Sequence, residues 1–258
     1  MSGGPFRTIG RSAIELANHV GGLGLVIART VRALPRLDPR ELVRSVVHFG
    51  YDAIPLVVAL AVFIGGILVL FANVNVQRYG AKSLIGWAAG YTILREFGPL
   101  LTALVMTGRV GARNAAELAS MNIGGQLEGL RGVGVDPFAL LVAPRVIAST
   151  IAIAALGLVV NLVAVFSAAF FGQLIIAVDP GSFFRSLEQM LGWRDALAGS
   201  AKMVAFGLTI SLISTRAGLV ARGGARAVGR VAAVAVVASS ALLTALDYGI
   251  TVALERVL

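Results

Sequence analysis

The chain has 258 residues, 57% of them hydrophobic, with a mean hydropathy of +0.87. Only 14% are charged, against about 25% in a soluble domain, so most of the surface faces something apolar. The absence of cysteine excludes disulfides and thiolate sites, two histidines (His19 and His48) argue against a histidine-built metal centre, and a net charge of +9 fits arginines held against lipid better than nucleic acid.

Residues 1–30 lack the uninterrupted apolar core and small-residue cleavage site of a signal peptide. Over 13–34, Leu16, Val20, Leu23, Ile27, Val31 and Leu34 recur at steps of three or four, which stacks them on one face of a helix. Arg11, Glu15, Arg29 and Arg32 lie mostly elsewhere. A basic helix of this kind lies in the membrane interface. Asp38-Pro39 starts another helix, with Asp as cap and Pro at the first position. Residues 8–48 are therefore expected to be interfacial.

Five apolar stretches follow, at about 50–77, 90–116, 143–177, 196–220 and 229–256. Each is long enough to cross a hydrocarbon core about 30 Å thick. Arg95-Glu96 interrupts the second, Lys202 the fourth and Asp247 the fifth. The third exceeds what a perpendicular helix needs, so it must tilt, or break near Gly157 or Gly172. The expectation is one all-α integral membrane domain: N-terminal interfacial helices followed by five transmembrane helices. Lys and Arg number 15 on the side of the N-terminus and the 109–145 and 216–230 connections, against 4 on the other. That bias places the N-terminus in the cytoplasm and the C-terminus in the periplasm.

Arg95 precedes Arg109 by 14 residues, Lys202 precedes Arg216 by 14, and Asp247 follows Arg230 by 17. At about 1.5 Å per residue, all lie roughly 20–25 Å from the cytoplasmic surface. Arg95, Glu96, Lys202 and Asp247 thus form a belt at one depth, where charges are costly and face a partner or a polar cavity. Either they line or brace an outward-opening cavity, with Glu96 or Asp247 neutralising Lys202 or Arg95, or each snorkels to the outer headgroups.

Residues 117–136 keep roughly helical spacing in Leu118, Met121, Leu127, Leu130 and Val133. They read as a short amphipathic helix that docks on a partner or packs on its own bundle. No Gly-Lys-Ser/Thr ending exists around Lys82 or Lys202, and no strand precedes Gly129-Leu-Arg-Gly-Val-Gly134, so the chain carries neither a P-loop nor a dinucleotide fingerprint. No pair of spans offers a Ser/His, an Asp dyad or metal-ligand spacing, which argues against an intramembrane enzyme. On these residues alone the chain is a polytopic transporter or a membrane scaffold; if it is energised, the energy comes from a partner or an ion gradient, and an ion-coupled secondary transporter would use Glu96 and Asp247. The lack of an internal repeat argues against the ion-coupled transporter.

The run Arg95-Glu96-Phe97-Gly98-Pro99-Leu100, continued by Gly108-Arg109-Val110-Gly111-Ala112, Ala116-Glu117-Leu118, Gly134-Val135-Asp136-Pro137 and Ala143-Pro144-Arg145, resembles the MlaE/YrbE family of ABC-transporter permeases. Gly223-Gly224-Ala225, Val228-Gly229-Arg230 and Ala235-Val236-Val237 form a weaker second block. The resemblance covers nearly the whole chain. It implies a homodimer in a bacterial inner membrane, joined to a cytoplasmic ATPase that holds ATP and Mg, this chain binding no cofactor itself. It also implies an MCE-domain ring on the periplasmic side, a STAS-domain partner in some systems, and phospholipid or a related lipid as substrate. The polar belt would mark the lipid pocket. The 117–136 segment would be the coupling helix, with Glu117, Met121, Gln126, Leu127, Glu128 and Leu130 meeting the ATPase. The chain departs from the family where Gly125 and Gly129 replace helix-favouring residues. It departs again at Arg113-Asn114, in place of small residues, and at Val231, Ala232 and Ala233, in place of threonines.

Overall fold

A computed structural model describes residues 5–78 and 84–257, and every regular element among them is helical. Helix α1 (Pro5–Ala33) runs through a single 3-10 turn to α2 (Pro39–Gly50). Asp38 caps α2, its Oδ1 accepting from the Arg40 amide at 2.9 Å. A second 3-10 turn leads into α3 (Ile54–Arg78). Then comes one long helical run: α4 (Ile85–Thr92), a π-helical turn (Ile93–Phe97), α5 (Gly98–Met106), a second π turn (Thr107–Gly111) and α6 (Ala112–Ile123). After α7 (Gln126–Gly132) and a π turn (Phe138–Val142) come α8 (Ala143–Ile176), α9 (Pro180–Met190), α10 (Trp193–Leu219) and α11 (Ala225–Val257).

Four helical stretches, Pro39–Val74, Phe138–Ile176, Trp193–Leu219 and Ala225–Arg256, are long and apolar enough to cross a membrane. The run 85–123 also has the length, but Arg95 and Glu96 lower its hydropathy. Two of the π turns have a local cause. A proline ring clashes with the carbonyl four residues before it, and Pro99 and Pro144 follow π turns that widen the helix at Arg95 and Leu140.

The bundle is centred on α8. Val57, Ala61, Ile64 and Leu68 of α3 pack on Val160, Ala164 and Ala168. Gly65 allows this, since a Cβ there would overlap the Ala164 carbonyl oxygen. α8 runs unbroken, contrary to one of the two alternatives expected for it. Gly157 and Gly172 seat Met203 and Val69 against the helix instead of breaking it.

α1 uses two stripes. Val26, Thr30 and Ala33 are buried, and the helix packs on α8 and α10. Ile27, Val31 and Leu34 of the expected apolar face are exposed, as an interfacial helix requires. The side chains of Arg11, Glu15, Leu16, His19, Val20 and Arg78, and Lys82, lie outside the described residues. α9 was not anticipated, although Asp179-Pro180 repeats the signature of Asp38-Pro39: Asp179 accepts from the Ser182 amide at 2.8 Å.

The 117–136 segment is not one helix. Glu117 and Met121 end the long run, and Gly125, at φ 71°, turns the chain into α7. A glycine there is favoured by its left-handed backbone, not tolerated despite helix propensity. Gly129 differs: it lies inside α7 and a Cβ would meet nothing within 4 Å. Gly129→Ala is expected to stabilise α7 by about 1 kcal/mol, read as slower amide exchange over 126–132 with the rest of the chain unchanged.

Candidate functional site

The π turn Ile93–Phe97 presents Arg95 and Glu96 to α10. On α10, Asp195, Gly199 and Lys202 follow at steps of four and three, one above another on a single face. Gly199 is where the two helices touch. A Cβ there would overlap the Leu94 carbonyl oxygen. That contact holds Asp195 level with Arg95 and Lys202 level with Glu96.

Lys202 is wholly buried and its ammonium has three acceptors. These are Glu96 Oε2, Asp247 Oδ1 at 2.9 Å and Thr251 Oγ1 at 2.7 Å, the last two on α11. An ammonium has three donors, so its capacity is filled. Thr251 in turn has the Asp247 carbonyl at 2.9 Å and Glu96 Oε2 at 3.2 Å as acceptors. Arg95, also buried, donates from Nη1 to Asp195 Oδ1 at 3.2 Å and stacks on Tyr91, 5.3 Å from the ring centre. Asp195 Oδ2 accepts from the Gly192 amide at 3.1 Å, so one carboxylate caps α10 and anchors Arg95.

All four residues of the expected belt therefore meet in one cluster. Lys202 joins Glu96 to Asp247, while Arg95 has its main partner in Asp195 and only a 3.8 Å approach to Glu96. Burial of Lys202 is the geometry of a brace between α10, α11 and the 85–123 run, not of a side chain snorkelling outward. Sequence reasoning missed Asp195 and Thr251. Asp195 stood one residue before the expected fourth span, but its spacing from Lys202 already put it on the same face.

One residue from Glu96, Phe97 lines an apolar groove of about 420 Å³. Thr92 and Leu101 form the same wall, and Ile64, Ile67 and Phe71 of α3 stand opposite. Phe97, Ile67 and Phe71 are exposed. Glu96 turns to α10 and α11 while its neighbour Phe97 turns to α3, so the polar cluster and the apolar groove occupy different faces of the same helical run.

The other end of the long run carries a second network. Arg113 donates to Glu117 Oε1, Asp52 Oδ2 and His48 Nδ1 at 3.0–3.2 Å. Because a guanidinium only donates, His48 Nδ1 accepts, and His48 Nε2 carries the proton toward Glu117 Oε1 at 3.1 Å. Arg145 takes the remaining oxygen, Glu117 Oε2, at 2.6 Å. Glu117, expected at the ATPase surface, thus has both oxygens engaged within the chain. Leu127, expected there too, is buried. Gln126 and Glu128 are exposed, and Met121 and Leu130 partly so. Asn114, wholly buried, donates to Ser214 and Thr215, which accounts for the departure at Arg113-Asn114.

Burial pushes the Glu117 carboxyl up, but the hydrogen bonds from Arg145, His48 and Arg113 outweigh it and hold the group below its ordinary 4.5. A depressed carboxyl contributes stability that is complete above 4.5 and lost as pH falls through the folded value. Glu117→Gln is expected to cost about 1–3 kcal/mol at neutral pH. It should also remove part of the wild-type loss of thermal stability below pH 4.5, as melting curves of the two purified proteins at stepped pH would show.

A family profile described as Permease MlaE matches residues 42–253. The chain is 32% identical over 246 residues to a probable ABC transporter permease protein of Rickettsia conorii, covering 95% of each. It is 26% identical over 246 residues to the intermembrane phospholipid transport system permease protein MlaE of Haemophilus influenzae, covering 94% of each. To the chloroplastic protein TRIGALACTOSYLDIACYLGLYCEROL 1 of Arabidopsis thaliana it is 29% identical over 216 residues, covering 84% of this chain and 61% of the other.

Proposed function

The chain belongs to the MlaE permease family of ABC transporters, and from that membership we propose that it moves phospholipids or related lipids between an inner and an outer membrane, driven by a separate ATPase. One observation carries the reading beyond membership. The groove of Phe97, Ile67 and Phe71 is open, wholly apolar and about 420 Å³ in volume, which matches the acyl chain of a lipid. The relative whose name states intermembrane phospholipid transport supports the substrate class.

In this reading the 85–123 run supplies the span that completes five, over about 90–116, with Arg95 and Glu96 sheltered by α10 and α11 and Glu117 on the cytoplasmic side. The N-terminus and the arginine-rich connections are cytoplasmic, the C-terminus periplasmic, and the membrane the bacterial inner membrane. Two copies form the core; exposed Val234, Val237 and Tyr248 on α11 offer apolar surface for a second copy. An ABC ATPase holding ATP and Mg docks at α7, where Gln126 and Glu128 are exposed. An MCE-domain protein covers the periplasmic side, and a STAS-domain protein is a further cytoplasmic partner. The ion-coupled alternative is not favoured, because Lys202 already engages both carboxylates it would need. The test is gentle purification of the tagged chain from its own membranes, with co-purifying proteins identified by mass spectrometry. A P-loop ATPase together with an MCE-domain protein is the expected result, and recovery of the chain alone under conditions that preserve membrane complexes contradicts it.

A further inference from the structure

A cavity of about 700 Å³ lies away from both networks, between the end of α1 and the connection after α7. Arg29, Arg32 and Arg36 line one side, and Arg131, Asp136 and Phe138 the other. The three arginines of the first side are spaced to share one face of the chain. That face is opposite the exposed stripe of Ile27, Val31 and Leu34, so the cavity opens on the aqueous side of the interfacial helix.

None of the four guanidiniums has a carboxylate partner among the described residues. Arg29 lies over the Phe138 ring, 5.1 Å from its centre, which fixes its position without neutralising it. The one carboxylate in the wall, Asp136, accepts from the Phe138 amide at Oδ1 at 3.0 Å and forms no ion pair with these arginines, so four positive charges face one negative charge. Arg113 and Arg145 differ: Arg113 pairs with Asp52 and Glu117, and Arg145 with Glu117. Four unpaired guanidiniums around one volume repel one another and leave about twenty N–H donors directed at whatever anion enters. Planar guanidinium forks match the oxygens of a phosphate group in pairs.

We propose that this cavity is an anion site that binds a phosphate group, either the headgroup of an anionic phospholipid from the adjoining leaflet or a free phosphate ester. It is separate from the groove beside Glu96, and it does not depend on which lipid the permease moves. The proposal rests on reading α1 as interfacial, but not on transport.

The test uses the full chain in two settings. Titration calorimetry in neutral detergent with sn-glycerol 3-phosphate and with inorganic phosphate reads a free anion. Native mass spectrometry from nanodiscs of phosphatidylcholine, with and without phosphatidylglycerol, reads a retained lipid. Arg32→Gln/Arg131→Gln should weaken the binding roughly tenfold or more, whereas Arg40→Gln/Arg226→Gln, which removes equal charge outside the cavity, should change it less than about twofold. Saturable binding of the soluble esters assigns the free source. Retention of phosphatidylglycerol alone assigns the lipid. If both double variants weaken binding equally, the effect is bulk surface charge and the proposal falls. It falls equally if no phosphate species binds while the cavity variant loses a co-purifying protein, which would make the cavity a protein contact. The melting temperature of each variant shows whether it is folded, and single Arg32→Gln serves if the double variant is not. Failure here leaves the co-purification result, and hence the permease reading, untouched.

Discussion

Lys202→Ala is expected to be the most damaging single substitution in the chain, costing about 3–5 kcal/mol. The residue is wholly buried and its two carboxylate partners, Glu96 and Asp247, come from different helices. Removing the ammonium leaves two part-buried carboxylates facing each other across an empty site with no counter-charge, which is where the cost of breaking such a pair arises. A melting curve of the purified protein would register it as a large drop. The neutral triple variant Lys202→Met/Glu96→Gln/Asp247→Asn separates stability from function. Buried ion pairs are often replaced by neutral groups at little cost, so stability should largely return. If lipid transfer returns with it, the cluster is a brace only. If the protein is stable and transfer stays absent, the charges act in transport and not only in packing.

Gly199→Ala should produce the second large effect by a different route. The added methyl would overlap the backbone carbonyl of Leu94, and no rotamer can move a carbonyl aside. The helices must separate, at about 1–3 kcal/mol. The same movement pulls Asp195 from Arg95 and Lys202 from Glu96. Gly249→Ala is the matching control, since a Cβ there meets nothing within 4 Å. It should be neutral or slightly stabilising, as expected for glycine in an open helix position. Equal melting temperatures for the two variants would show that the α10 contact at Gly199 does not set the geometry of the cluster.

The contrast between Lys202 and Asp195 shows what could be read in the sequence. An ionisable residue in an apolar span stands out by composition, and counting from the flanking arginines put Arg95, Glu96, Lys202 and Asp247 at one depth. Asp195 does not stand out, because it lies where the span begins. Only the pairing of α10 with the π turn reveals its role. The π turns themselves were hidden for a related reason: Pro99 and Pro144 signal a disturbed helix, but whether it breaks, kinks or widens depends on packing. The unbroken course of α8 follows the same logic, since Gly157 and Gly172 are filled by Met203 and Val69 from neighbours that no local pattern identifies.

The 117–136 segment was legible in its outline and not in its detail. Its apolar spacing is real, with Leu118 and Leu127 both buried, but the chain turns at Gly125 between them. A glycine inside a helical pattern reads as a weak point until its φ is known. Glu117 read as a docking residue because it stands in an expected cytoplasmic segment. Its partners His48 and Arg145 come from helices distant in sequence, and only tertiary structure brings them to it. The second α1 stripe, Val26, Thr30 and Ala33, was masked by the stronger apolar periodicity beside it.

The central claim is that this chain is a lipid permease driven by a partner ATPase. The most direct measurement is reconstitution of the purified complex into proteoliposomes, followed by transfer of a labelled phospholipid to or from the periplasmic-side protein. Transfer that requires hydrolysable ATP, and that is lost in a stable Lys202 variant, is the predicted result. Transfer that proceeds without ATP and follows an imposed proton or cation gradient would contradict it.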